Sequence, residues 1–359
     1  MRDTHLPDSF IYSFQDLVKH IAPNFPLLVL LFLITAGNGF SQRPKFVQDS
    51  TLNNLIHPAG YETSPNGRLG AVSQSGHGKS SMILIPGIGF GGDVFDELIA
   101  AYKDRFTVYA VTPAGFGNTA APAMPAAGTS YAEMTWTNGI VTGVLDLIEK
   151  ENLDRPIVVG HFATGTQVAL NLALAHPEKI GKVIILSGQP YRYYPSRTDA
   201  SQFDWSKESK LTQERRSQLA DQYWAPKWFK TVTKETWISN NWQANEYSAD
   251  SSFGMKWVDE SAAVPLQVNI RYLLEFFTYD VTSRYQDIKI PVLILIPSFD
   301  DAFLTGREEY LKYFQQEAWN SARNKNPLLQ FKVVPDSRIF MWHDNPSGTF
   351  NAIDNFLAP

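Results

Sequence analysis

Gly160-His161-Phe162-Ala163-Thr164-Gly165 has the pattern of a strand turning sharply into a helix, the setting that lifts a nucleophile clear of a sheet. Attack on a carbonyl needs a serine, cysteine or carboxylate at the third of these positions and a base to take its proton. Phe162 stands there, and a benzyl ring has no attacking atom. Sliding the frame to make Thr164 the nucleophile puts Phe162 and Thr166 where the turn requires small residues. Ser80 and Ser81 sit at the wrong end of their strand. Serine-type acyl transfer through this turn is excluded by its own chemistry.

Other motifs carry less. Gly87-Ile88-Gly89-Phe90-Gly91-Gly92 fits a dinucleotide-binding glycine pattern, but the next strand ends Val111-Thr112-Pro113 without the acidic residue a ribose requires. Gly78-Lys79-Ser80 is the tail of a phosphate loop whose first glycine is replaced by Ser73, and it precedes its strand. No histidine–carboxylate group has metal-ligand spacing, so neither metal nor cofactor is expected. The absence of cysteine excludes a disulfide scaffold and a thiolate nucleophile. A net charge of -5 with no dominant basic run argues against nucleic-acid binding.

The elements that must position this turn follow from hydrophobic periodicity. Short aliphatic runs at Arg68 to Ser75, Ser81 to Pro86, Phe106 to Thr112, Ile157 to Gly160, Val183 to Leu186, Val292 to Ile296 and Phe331 to Val334 read as strands. Between them, Val94 to Tyr102, Tyr131 to Glu151, the stretch up to His176-Pro177 and Phe350 to Leu357 have helical spacing. This alternation predicts an α/β fold with a doubly wound, mostly parallel sheet. From Gln189 to about Ser283 it breaks, and six of the nine tryptophans fall there: Trp205, Trp224, Trp228, Trp237, Trp242 and Trp257. An α-helical cap inserted into the sheet is expected at residues 189–283, dividing a core of 42–188 and 284–359. Its rings serve either as packing or as the wall of a pocket.

Taken in order, four stretches resemble the α/β-hydrolase superfamily, in its capped branch with epoxide hydrolases, haloalkane dehalogenases and C–C bond hydrolases. They are Ile85-Pro86-Gly87-Ile88-Gly89, Thr112-Pro113-Ala114-Gly115-Phe116-Gly117, Val158-Val159-Gly160-His161 and Trp342-His343-Asp344. The resemblance implies that His343 falls at the catalytic histidine position, with Asp300 as its acid and Asp301 as second choice. It also places the backbone amides of Ile88 and Ala163 at the oxyanion hole. His161 is implied to frame the elbow. This sequence departs from the pattern at Phe162, at Thr164 in place of a glycine, and at Pro86 in place of a frequent histidine. The resemblance implies a hydrolase-like protein for a small hydrophobic ester or amide-type substrate, and any turnover would then run through a His343–Asp300 dyad acting as a general base. The alternative is a catalytically silent protein holding a small hydrophobic molecule between cap and core. An ordinary enzyme in which Phe162 is not the natural residue stands as a third possibility.

The apolar run Leu27 to Ala36 is too short to span a bilayer, and Gly39 and Ser41 follow at the spacing of a signal-peptide cut after Ser41. The stretch before it carries Asp3, Asp8 and Asp16 against Arg2 and Lys19. Residues 1–41 are expected to be a secretory signal, giving a secreted or periplasmic protein with no stable membrane span after processing. A retained N-terminal anchor and a buried strand are the alternatives.

Overall fold

The computed structural model describes residues 68–191, 212–235, 242–299 and 317–358. The expected leader at 1–41, Trp205, Trp237, and the acid candidates Asp300 and Asp301 lie outside the described residues.

Among the described residues, seven strands form one sheet in the order β1-β3-β2-β4-β5-β6-β7. They are β1 (Leu69–Ser75), β2 (Ser80–Ile85), β3 (Phe106–Pro113), β4 (Ile157–His161), β5 (Lys182–Leu186), β6 (Val292–Pro297) and β7 (Leu329–Val334). Only β1 runs antiparallel, along β3; every other neighbouring pair is parallel. The sheet is mostly parallel and doubly wound, as the alternation predicts. Strand residues divide by parity between two cores. Ile83, Ile85, Val158, Val183, Ile185 and Ile294 face one, and Met82, Leu84, Val159, Ile184, Leu186 and Leu295 face the other. Burial on both sides explains why the central strands are continuous aliphatic runs.

Helices α1 (Asp96–Tyr102), α2 (Thr135–Lys150) and α3 (Phe162–Ala175) connect the first strands. Between β5 and β6 come α4 (Gln213–Leu219), a π turn at Ala220–Trp224, α5 (Ala225–Thr231), α6 (Trp242–Tyr247), α7 (Ser251–Ala263) and α8 (Leu266–Thr278). The short α9 (Met341–Asp344) and α10 (Pro346–Leu357) close the chain. Two helix boundaries differ from the periodic pattern. The stretch Tyr131 to Glu151 is not one helix, because Met134 adopts φ 47°, separating a 3-10 turn at Tyr131–Glu133 from α2. The last helix begins four residues before Phe350, where Pro346 occupies its first turn and the Asn345 side chain accepts from Gly348 N–H.

The inserted helices are fastened to the sheet by carboxylates at helix starts. Glu275 of α8, fully buried, accepts from Trp136 N–H at 3.1 Å, Thr137 N–H at 2.9 Å and the Thr137 hydroxyl at 2.8 Å, satisfying orphan donors of α2. Arg271, one turn earlier, pairs with Glu275 at 3.2 Å and lies 4.4 Å over the Tyr131 ring. Asp221 accepts from the Ser130 hydroxyl and Tyr131 N–H, and Tyr272 donates its hydroxyl to Ala114 O.

Candidate active site

The turn from β4 into α3 is strained over two residues. Phe162 has φ 37° and Ala163 φ 36° with ψ -109°, a conformation that L-residues with a Cβ adopt only when the surroundings force it. The force comes from close packing. At Gly165 a Cβ would collide with the carbonyl of Ile85, and at Gly160 with the carbonyl of Gly165. Helix and strand ends are thus pressed together, and the chain between them must bulge. Whichever of the two strained residues is taken as the tip, its side chain is a benzyl or a methyl group. The hydroxyl of Thr164 is one residue on, fully buried and without a hydrogen-bond partner. It is closed off from any incoming substrate.

The loop after β2 adjoins this turn. A Cβ at Gly87 would stand 3.1 Å from Phe162 Cβ and 3.3 Å from its carbonyl oxygen, so the two backbones meet there. Ile88 and Ala163 belong to the same buried cluster. Gly89, at φ 83°, is covered by the inserted helices: a Cβ there would run into the Ser261 hydroxyl and lie 3.3 Å from Asn269 Oδ1. Phe162 is only half-buried, whereas His161 and Ala163 on either side are buried. It packs against both cores of the sheet and keeps one exposed portion. Phe162 is therefore the partly exposed residue of this turn.

His161 is fully buried in a box of rings, with Trp342 at 4.8 Å, Phe340 at 5.1 Å, Phe90 and Phe95 at 6.1 Å, and Phe162 at 6.1 Å. Burial pushes its imidazole down to about 3, the Ile339 backbone beside the ring working less strongly the other way. The ring is neutral at physiological pH and behaves as a packing element. The Ile339 carbonyl itself accepts from the Ser187 hydroxyl at 2.7 Å. From the loop between β7 and α9 come Ile339 and Phe340, and from α9 itself Trp342, to pack around the elbow histidine, and none of the three carries a base.

His343 faces elsewhere. Its Nδ1 is 2.8 Å from Glu97 Oε1 on α1, its Nε2 is 3.6 Å from Asp250 Oδ2, and its ring stacks on Phe253 at 3.5 Å with an interplanar angle of 6°. The neighbouring Asp344 accepts from the Ser248 hydroxyl and from the N–H groups of Ala249 and Arg338. So the three residues of the Trp342-His343-Asp344 stretch diverge: inward to the elbow histidine, outward to Glu97, and across to the inserted helices. The partners expected for His343, Asp300 and Asp301, fall outside the described residues, where Phe299 is the last placed residue of the loop after β6.

Among known proteins, residues 82–352 match the model of the alpha/beta hydrolase family, covering most of the chain. The chain belongs to the alpha/beta hydrolase family. Within curated relatives of the family, it is 28% identical over 120 residues to a pimeloyl-[acyl-carrier protein] methyl ester esterase of Aeromonas hydrophila. It is 30% identical over 110 residues to a putative carbamate hydrolase RutD of Serratia proteamaculans. These matches take in 33% and 31% of this chain and only 42% and 38% of those proteins. In structure it is similar to the enol-lactonase from Burkholderia xenovorans LB400, with a TM-score of 0.58, 13% identity, and coverage of 80% of this chain and 95% of that one. An esterase from Exiguobacterium antarcticum gives a TM-score of 0.58 and 14% identity over 80% and 95%. At such identities the likeness to this family's structures is one of fold.

Sequence reasoning found the strained turn and the loop beside it, because both are local in the chain. It missed Glu97, Asp250 and Phe253 around His343, and Glu275 at the start of α2. Glu97 is 246 residues from His343, and no short-range pattern records such a contact. The one available signal was Glu275 four residues after Arg271, the two charged residues of that helix, at the spacing of a helical ion pair.

Proposed function

We propose that this member of the alpha/beta hydrolase family binds a small hydrophobic molecule between the inserted helices and the sheet without acyl transfer. The observation that carries this reading is the half-exposed ring of Phe162, flanked by buried residues, at the strained turn where an attacking atom would stand. A benzyl floor favours apolar or aromatic ligands and forms no bond to a carbonyl. Supporting it, the residues packed around the elbow histidine from the chain after β7 are Ile339, Phe340 and Trp342, and the Nδ1 of His343 is engaged by Glu97. The helices from 189 to 283 act as a cap on this reading, and residues 1–41 direct the chain out of the cytoplasm.

The test is a titration of the purified protein with neutral p-nitrophenyl esters, following both binding and p-nitrophenolate release. Saturable binding without turnover, weakened at least tenfold in Phe162→Asp, is the expected result. Ester hydrolysis that disappears in His343→Ala would instead establish general-base chemistry through that imidazole and overturn the proposal.

A further inference from the structure

His343 joins three parts of the chain that are distant in sequence. Glu97 belongs to α1 of the core, Asp250 is the N-cap of α7 in the insertion, and Phe253 lies in the first turn of that helix. The imidazole lies flat on the Phe253 ring, with a carboxylate oxygen opposite each of its two nitrogens. A neutral imidazole carries one N–H and one lone pair, so it donates toward one of these carboxylates and turns a lone pair toward the other. Only the imidazolium turns an N–H toward both, at hydrogen-bond distance to Glu97 and as a charge contact at 3.6 Å to Asp250. With its side chain 23% exposed, the ring remains open to protons from solvent.

We propose that His343 is a proton-operated clasp, holding the amino end of α7 against α1 when protonated and loosening it when neutral. The second ring proton adds the second N–H, so the clasp tightens as pH falls from 8 to 5. Among the described residues, the groups facing His343 are Glu97 from the core and Asp250 from the insertion, with Phe253 the apolar contact. In its own turn, Asp344 is already committed to Ser248, Ala249 and Arg338 N–H. Arg338 directs its guanidinium to the carbonyls of Asn245 and Ser248. Asp250 is held below the usual carboxylate range, first by the Phe253 amide, then by the Ser252 amide and His343, with desolvation opposing. It therefore keeps its charge throughout this range.

The clasp does not depend on what the elbow binds, and its test needs no ligand. Hydrogen exchange of the full chain is followed at the amides of residues 248–256 between pH 5 and pH 8, after correction for intrinsic exchange. Protection is expected to fall roughly three- to tenfold across this range, the scale of one or two partly exposed ion pairs. The slope should vanish in His343→Phe, which keeps the stack but cannot protonate. It should vanish equally in Glu97→Gln/Asp250→Asn, which keeps the imidazole and the N-cap oxygen. Equal protection at pH 5 and pH 8 in the native chain, or a slope that survives in either variant, would overturn the clasp.

Discussion

Removing the charge of Glu275 should loosen the insertion from the core more than any exposed substitution could. In Glu275→Gln the shape is kept, but an NH2 group replaces one of two oxygens that together accept from Trp136 N–H, Thr137 N–H and the Thr137 hydroxyl. One α2 donor set then faces a donor. Arg271, almost fully buried, loses its ion pair and keeps the Thr135 hydroxyl and the Tyr131 face. Breaking a buried pair from one side costs about 3–5 kcal/mol. The surviving contacts of Arg271 favour the lower end, about 3 kcal/mol, out of a typical total of about 5–15 kcal/mol. At roughly 2 °C per kcal/mol for a chain of this size, the melting temperature should fall by about 6 °C. Urea unfolding followed by tryptophan fluorescence measures the loss directly. The double variant Glu275→Gln/Arg271→Met should lose less than Glu275→Gln alone, because no charge remains buried alone while the amide oxygen still accepts from one α2 donor set. A loss below about 1 kcal/mol in Glu275→Gln, or a double variant worse than the single, would refute this account of how the insertion is fastened.

Three further outcomes follow from the elbow and its surroundings. Phe162→Ser alone should gain little esterase activity, since the adjacent His161 imidazole is sealed in its box of rings and His343 is engaged by Glu97; adding Ile339→His should raise the rate by a factor on the order of 10² or more, the usual contribution of a general base, in a p-nitrophenyl acetate assay. His161 is neutral when folded and has an ordinary histidine value when unfolded, so the unfolded chain binds the extra proton below about pH 6.5. Stability should therefore drop as pH falls from about 6.5 toward 3, by up to about 1.4 kcal/mol per pH unit, and His161→Phe should flatten that slope in acid-unfolding curves. Gly89→Ala should destabilise by roughly 2 kcal/mol or more, since φ 83° is unfavourable for alanine and its methyl would meet Ser261; chemical unfolding reads this, and Ser261→Gly in the same chain should recover part of it.

What was legible in the sequence was whatever short-range periodicity records. The strands at Ile157, Val183 and Val292 are buried on both faces and so read as unbroken aliphatic runs, and the glycines at 160 and 165 announce the close approach of β4 and α3. The strain itself was legible as position but not as extent: it is shared between Phe162 and Ala163, which only the packing of Gly165 against Ile85 explains. Met134 escaped notice because a left-handed methionine has no signature in a helical pattern. It closes a 3-10 turn that opens with the capping box of Ser130 and Glu133, a motif present in the chain as S-x-x-E. The direction of His343 was not legible at all. In the four-residue α9 a quarter turn separates a side chain packed on His161 from one facing Glu97, and the tertiary contacts of α1 and α7 decide between them.

Intact-mass spectrometry after incubation with a fluorophosphonate, in the folded native protein, bears most directly on the claim that this elbow has no attacking group. An unchanged mass is the predicted result, with Phe162→Ser/Ile339→His gaining one phosphonyl adduct under the same conditions. A stoichiometric adduct on the native chain, mapped to any side chain at residues 160–166, would contradict it.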